Sequence, residues 1–181
     1  MLAYSSIGHT GFALMAIVTF NEQGISSLIY YLAVYGLANI GALALASYFA
    51  NIANADEVDG YKGLGLKAPV ASICFVIILI SLTGLPVSAG FTGKLFVFSA
   101  VYSAYQQTHD VWLLALMITG AITTVVSLFY YIKIPLYLFL KKEDNAIEIV
   151  SKSNAILIFT IIIAAILLLL GVFPDKFFAF I

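Results

Sequence analysis

The chain has 181 residues, 63% of them hydrophobic and 9% charged, with mean hydropathy +1.09 and a formal net charge of −1. Soluble domains carry about 25% charged residues, so the composition excludes an ordinary soluble enzyme. The near-neutral balance offers nothing to a nucleic acid. The apolar runs are long and do not alternate, and in lipid a helix satisfies its backbone polar groups internally, so an all-α integral membrane protein is expected.

Five hydrophobic segments follow one another and form a single membrane domain over residues 1–181. The first, about 2–20, opens MLAYSSIGHTGF with no basic region before its apolar stretch, unlike a signal peptide. A chain that starts with a helix under way suggests that Met1 is internal to a longer protein. Asn21-Glu22-Gln23-Gly24 is expected to end this segment. The second segment, about 25–49, carries Tyr31, Tyr35 and Asn39 in one stripe, opposite small residues Gly36, Gly41, Ala42, Ala44 and Ala46 that would let another helix approach. A polar loop from Asn51 to Lys67 follows, with Asp56, Glu57, Asp59 and Lys62.

The third segment, about 68–105, is too long for a single straight span. It would extend roughly 55 Å at 1.5 Å per residue, against a hydrocarbon core of about 30 Å. It contains SLTGLPVSAGFTGKLFVF, residues 81–98, where Gly84, Pro86 and Gly90 should break a helix. Either the chain turns back at Pro86, or it crosses once with an interruption. A single crossing puts Lys62, Lys67, Lys141, Lys142 and Lys152 on one face and Lys176 alone on the other. The positive-inside rule favours that arrangement, with the amino terminus cytoplasmic and the carboxyl terminus periplasmic. The fourth segment, about 111–140, places Thr119, Thr123, Ser127 and Tyr131 on one face and Lys133 near its interface, where a lysine can snorkel as an anchor. A charged loop, Lys141–Ser153, leads to the fifth segment, about 154–173.

Lys94 is the outstanding candidate for chemistry, with no other charge from Ala68 to Thr108. An ammonium at the bilayer centre costs roughly 3 kcal/mol or more, and a buried ionisable group beside a broken helix is the architecture of an ion site. Lys94 is expected to load and release protons. His9 shares a face with Ser5 one turn before it. A neutral imidazole both donates and accepts a proton, so His9 is either a relay or a packed histidine satisfied by hydroxyls. Tyr35 and Asn39, with Thr123 and Ser127, could line a polar axis or serve as interhelical and back-bonding hydroxyls. Cys74, the one cysteine, lies in an apolar run and suits packing. No phosphate-binding loop or His/Cys cluster for a metal is visible.

At these residues, LAYSSIGHTGF, YGLANIGALAL and above all SLTGLPVSAGFTGKLFVF, the chain resembles the subunit N family of bacterial NADH:quinone oxidoreductase, respiratory complex I, whose members are antiporter-like. The resemblance runs from Leu2 to about Tyr131, and the last helix fits by position. It implies the last five helices, ten to fourteen, of an inverted-repeat fold. Lys94 matches the lysine of a broken helix in the outward half-channel, and His9 a polar position near the hydrophilic axis. Asn39 falls where sister subunits and sodium/proton antiporters carry a His or Lys, which points to subunit N. The other broken helix of the family, with its buried Lys and Glu, has no counterpart in this sequence.

The function so implied is proton translocation coupled to quinone reduction, in the cell inner membrane. NADH, flavin, iron–sulfur clusters and quinone would sit in partner subunits, and the partners would be sister antiporter-like subunits and the lipid bilayer. A subunit of a multi-subunit sodium/proton antiporter is the rival reading. A structural spacer or inactive remnant is a third.

Overall fold

The computed structural model describes residues 1–53, 57–141 and 154–178. Asp56, Lys142, Lys152 and the last residues of the chain lie outside these, and so does most of the Lys141–Ser153 loop. The described residues are helical and contain no strand. Helix α1 (Leu2–Val18) leads into α2 (Glu22–Ala53) through a turn in which Phe20 takes φ 49°. Asn21 Oδ1 accepts from Gly24 N at 2.7 Å. That cap makes Glu22, Gln23 and Gly24 the first turn of α2 rather than the end of the first segment.

The polar loop is more ordered than its composition suggests. A 3₁₀ turn, Val58–Tyr61, and helix α3 (Leu64–Lys67) occupy it. Gly63, at φ 71°, donates its N–H to Tyr137 O at 3.2 Å, and Tyr61 donates its hydroxyl to Ala46 O at 3.1 Å. These backbone acceptors tie the loop to the bundle.

The long third segment divides into α4 (Pro69–Thr83) and α5 (Ala89–Thr108). Pro69 sits in the first turn of α4, where a missing N–H is harmless. Gly84 ends α4 in the left-handed region, at φ 82°, with its N–H on Ile80 O and Ser81 O. Pro86 cannot continue the ladder. Ser88 begins α5, accepting from Phe91 N at 3.4 Å. Gly90, expected within the break, lies instead in the first turn of α5. It is needed there for close approach, because a Cβ would stand 1.7 Å from Ser81 O.

The contacts along α2 decide between one crossing and two. Gln23 donates to Ser99 Oγ, Ser27 to Phe96 O, Gly93 meets Tyr31, Gly41 meets Ile78, and Phe49 stacks on Phe75. As α2 advances, its partners retreat steadily through α5 and then α4. The two half-helices therefore run as one interrupted span antiparallel to α2, with no hairpin at Pro86.

Helix α6 (Val111–Tyr131) starts after a two-residue link, with Asp110 Oδ1 capping Trp112 N at 3.0 Å. It continues through a joint at Ile132 into α7 (Lys133–Phe139). Pro135 explains the joint, since its ring displaces the carbonyl of Tyr131 one turn earlier. Helix α8 (Asn154–Val172) and a single turn, α9 (Asp175–Phe178), complete the chain. Glu22–Ala53, Val111–Phe139 and Asn154–Val172 are long and apolar enough to cross a membrane, while α1 and α4 are shorter apolar helices.

Helix α2 lies at the centre. A larger core joins it to α4, α7 and α8 through Val34, Leu45, Phe49, Phe75, Ile78, Leu138 and Ile163. Gly41 permits this closeness, because a Cβ there would meet Ile78 Cδ1 at 2.8 Å and Ile163 Cγ2 at 2.9 Å. A smaller core of Phe12, Met15, Tyr31, Val97, Val101 and Leu113 joins α1, α2, α5 and α6. The end of α8 props the break: Thr92 Oγ1 donates to Gly171 O at 3.2 Å and Tyr30 OH to Leu170 O at 2.8 Å. These bonds satisfy carbonyls that the helix end leaves open.

Candidate functional site

The break and the buried polar side chains meet at the seam between the two cores. Lys94 lies in the second turn of α5, only 5% exposed. Its side chain runs back across the break, and Nζ donates to Thr83 O at 2.8 Å. Thr83 is the last residue of α4, so the ammonium sits at the negative end of that half-helix. Phe12 of α1 covers it from another side, with Nζ 4.9 Å from the ring centroid. Thr124 Oγ1 of α6 stands 3.5 Å away, at the edge of hydrogen-bond range. Four elements thus hold one amine.

His9 of α1 is buried beside it. Nδ1 is 2.8 Å from Tyr31 OH, and the ring stacks on Tyr35 with centroids 4.5 Å apart. Nε2 is 3.4 Å from Tyr131 OH. The Tyr131 and Ser5 hydroxyls hydrogen-bond each other, and Tyr130 OH donates to Ser5 Oγ at 3.2 Å. Both imidazole nitrogens therefore face hydroxyls, which a ring that changes tautomer requires. Asn39 Nδ2 is 3.5 Å from Tyr35 OH, at the outer end of the α2 stripe.

Two small cavities link His9 and Lys94. One, of about 20 Å³, is lined by Ser5, His9, Lys94, Thr123, Ser127 and Tyr130 among others. The other, of about 10 Å³, is lined by His9, Tyr31, Tyr35, Ser81, Gly90 and Lys94 among others. One water needs roughly 10–15 Å³ and two to four polar partners; both spaces are near that size, and their mostly apolar walls each carry the polar side chains of His9 and Lys94.

Of the residues expected from sequence, Lys94, His9, Ser5, Tyr35 and Ser127 converge here, with Gly84 and Gly90 framing the lysine. Pro86 stays in the break and is exposed. Thr123 lines the first cavity, but its hydroxyl turns back to Gly120 O at 2.9 Å, and Ser127 turns back to Thr124 O at 2.6 Å. Helical hydroxyls have such a carbonyl always in reach. Sequence reasoning missed Thr83, Thr124 and Phe12 as partners of Lys94, Tyr131 as a partner of His9, and Tyr130 as a partner of Ser5. Phe12 was findable, since it lies one turn after His9 on the same face. Lys133, read as an anchor, is half-exposed and pairs with Asp59 at 3.9 Å, apart from the seam. Among the described residues no group of three or more His, Cys, Asp or Glu side chains could hold a metal.

Residues 1–127 match the family described as NADH:quinone oxidoreductase/Mrp antiporter, transmembrane. NADH-quinone oxidoreductase subunit N 2 of Chloroherpeton thalassium is 39% identical over 170 residues, 92% of this chain and 32% of that protein. NADH-quinone oxidoreductase subunit N of Chlorobium chlorochromatii is 36% identical over 179 residues, 99% of this chain and 34% of that protein. A chain of the respiratory complex I of Thermus thermophilus, solved with bound NADH, superposes with a TM-score of 0.80 at 26% identity, over 97% of this chain and 36% of that one. The chain spans about a third of the length of the relatives it matches.

Proposed function

The chain belongs to the NADH:quinone oxidoreductase/Mrp antiporter transmembrane family, and from that premise we propose that it acts within a proton-translocating membrane subunit of NADH:quinone oxidoreductase, of the subunit N type. On this reading it is one membrane domain, corresponding to the last five helices of an inverted-repeat subunit. The names of the relatives support this over a sodium/proton antiporter. Partner subunits, including sister antiporter-like ones, would hold the redox cofactors. The subunit would lie in the cell inner membrane with its carboxyl terminus periplasmic.

One observation carries the reading: a buried lysine amine on the final carbonyl of a half-helix, sharing its cavities with a histidine. Thr83 O and the Phe12 face hold the ammonium at one point. A water beside it would take its proton toward His9. The imidazole would accept at one nitrogen and release from the other, with the Tyr31 and Tyr131 hydroxyls as next neighbours. Charge changes arriving from quinone reduction elsewhere in the complex would set the direction.

The test is proton uptake by membrane vesicles per electron passed to quinone, with complex abundance checked by gel. Lys94→Ala in the full-length subunit should lower pumping while the complex assembles. Lys94→Arg should not restore it fully, because a guanidinium stays protonated. An Arg variant that pumps like wild type would make Lys94 a fixed charge and sink the mechanism.

A further inference from the structure

Away from the seam, three lysines gather around one ring. Lys62 Nζ lies 5.9 Å from the centroid of Tyr137, Lys133 Nζ 5.3 Å and Lys141 Nζ 4.4 Å. Lys141 Nζ is also 3.4 Å from Tyr137 OH. Lys133, Tyr137 and Lys141 lie one turn apart on one face of α7 and its exit, and Lys62 comes from the loop before α3. The group is built rather than incidental. Gly63 N donates to Tyr137 O, and a Cβ on Gly65 would stand 2.6 Å from Leu138 O, so α3 and its loop are seated against the α7 backbone.

Like charges this close need counter-anions. Asp59 reaches Lys133 at 3.9 Å, and both remain half-exposed. Among the described residues this is the one ion pair made by the group, so the ammoniums of Lys62 and Lys141 have no carboxylate partner there. The surrounding surface is apolar and open: Leu66, Leu136, Phe139 and Leu140 are 84%, 39%, 42% and 74% exposed. The cluster therefore stands where a membrane-spanning helix leaves its apolar layer.

We propose that Lys62, Lys133 and Lys141 around Tyr137 form a binding site for the headgroup of an anionic phospholipid. The phosphate would accept hydrogen bonds from Lys141 and Lys62, the Tyr137 hydroxyl would border the glycerol, and the acyl chains would lie along Leu136, Phe139 and Leu140. A free phosphate satisfies the ammoniums but leaves that apolar floor bare, which favours a lipid.

The experiment uses the full chain purified in mild detergent and exchanged with phosphatidylglycerol or phosphatidylcholine, with retained lipid read by native mass spectrometry. Wild type should hold phosphatidylglycerol in preference to phosphatidylcholine. Lys133→Gln and Lys141→Gln should each reduce that preference by roughly fivefold, the share of one basic residue at an anionic surface. The matching Arg variants should keep it. Millimolar inorganic phosphate should not displace the lipid. Equal retention of the two lipids by wild type would overturn the site, as would Gln variants that behave like wild type or displacement by inorganic phosphate. Should Lys133→Gln fail to fold, Lys141→Gln, at an exposed position, decides the matter.

Discussion

The Lys94 side chain lies across Gly84, with so little clearance that a Cβ at Gly84 would stand 2.8 Å from Lys94 Cδ and 3.2 Å from its Nζ. The residue that ends the first half-helix thus also makes the floor over which the lysine reaches Thr83. The bare Cα has two uses, a left-handed backbone and a channel for the lysine stem.

Gly84→Ala should therefore act twice. The left-handed conformation alone costs roughly 1–2 kcal/mol for a residue with a Cβ, and the new methyl pushes Lys94 off its carbonyl. We expect lower resistance to denaturant in detergent together with loss of proton pumping. Gly11→Ala, on the exposed side of α1 with nothing within 4 Å of the added atom, should change neither. Equal behaviour of the two variants would refute the close passage.

Gly90→Ala should be more severe. The added atom would meet a backbone carbonyl at 1.7 Å, which no rotamer change relieves. Overpacking of this kind costs typically 1–3 kcal/mol and occasionally more. The expected result is loss of the subunit from the assembled complex, measured by abundance on a native gel.

How much of this was legible in the sequence depends on the reach of each contact. The break was legible because Gly84 and Pro86 act on their own backbone. The burial of Lys94 was legible because a lone charge well inside a long apolar stretch cannot easily snorkel to water. The α2 stripe correctly put Tyr31, Tyr35 and Asn39 together, as helical spacing must. The α6 stripe was less informative: Thr119 and Thr123 are exposed, Ser127 and Tyr131 are buried, and it is the neighbour Thr124 that approaches Lys94. Helical spacing shows which residues share a face but not how the helix is rotated toward its partners. The His9–Tyr131 pairing spans 122 positions and depends on that rotation. The shift of Gly90 into α5 was invisible for a similar reason, since its purpose is a neighbour nine residues earlier.

The hydroxyl environment of His9 can be measured by a double-mutant cycle. Tyr31→Phe and His9→Ala, singly and together, should show a coupling of about 1 kcal/mol, the worth of one buried hydrogen bond. Tyr35→Phe keeps its ring stacked on the imidazole and should couple only weakly through its lost hydroxyl. Unfolding midpoints in mild detergent give the energies. Zero coupling for Tyr31 would show that the Nδ1 contact does not form in the membrane.

Topology offers an independent check. With α4 and α5 as one interrupted span, a cysteine at Asp59 and one at Asp110 lie on opposite sides of the membrane. In a background with Cys74 replaced by Ala, a membrane-impermeant thiol reagent applied from one side should label one position and spare the other. Labelling of both from the same side would mean a hairpin at Pro86 and a different fold.

The last turn of α8 has a mechanical consequence. A Cβ on Gly171 would stand 2.6 Å from Val87 O and 2.7 Å from Ala89 N, so the rod of α8 abuts the interrupted segment backbone to backbone. An interruption wedged in this way is not a loose pivot. Any swing of the lysine-bearing half-helix must carry α8 with it, as a crank carries its shaft. A small displacement at Thr83 would then reach the remote end of α8, around Asn154, as the tilt of a whole helix rather than a ripple through side chains.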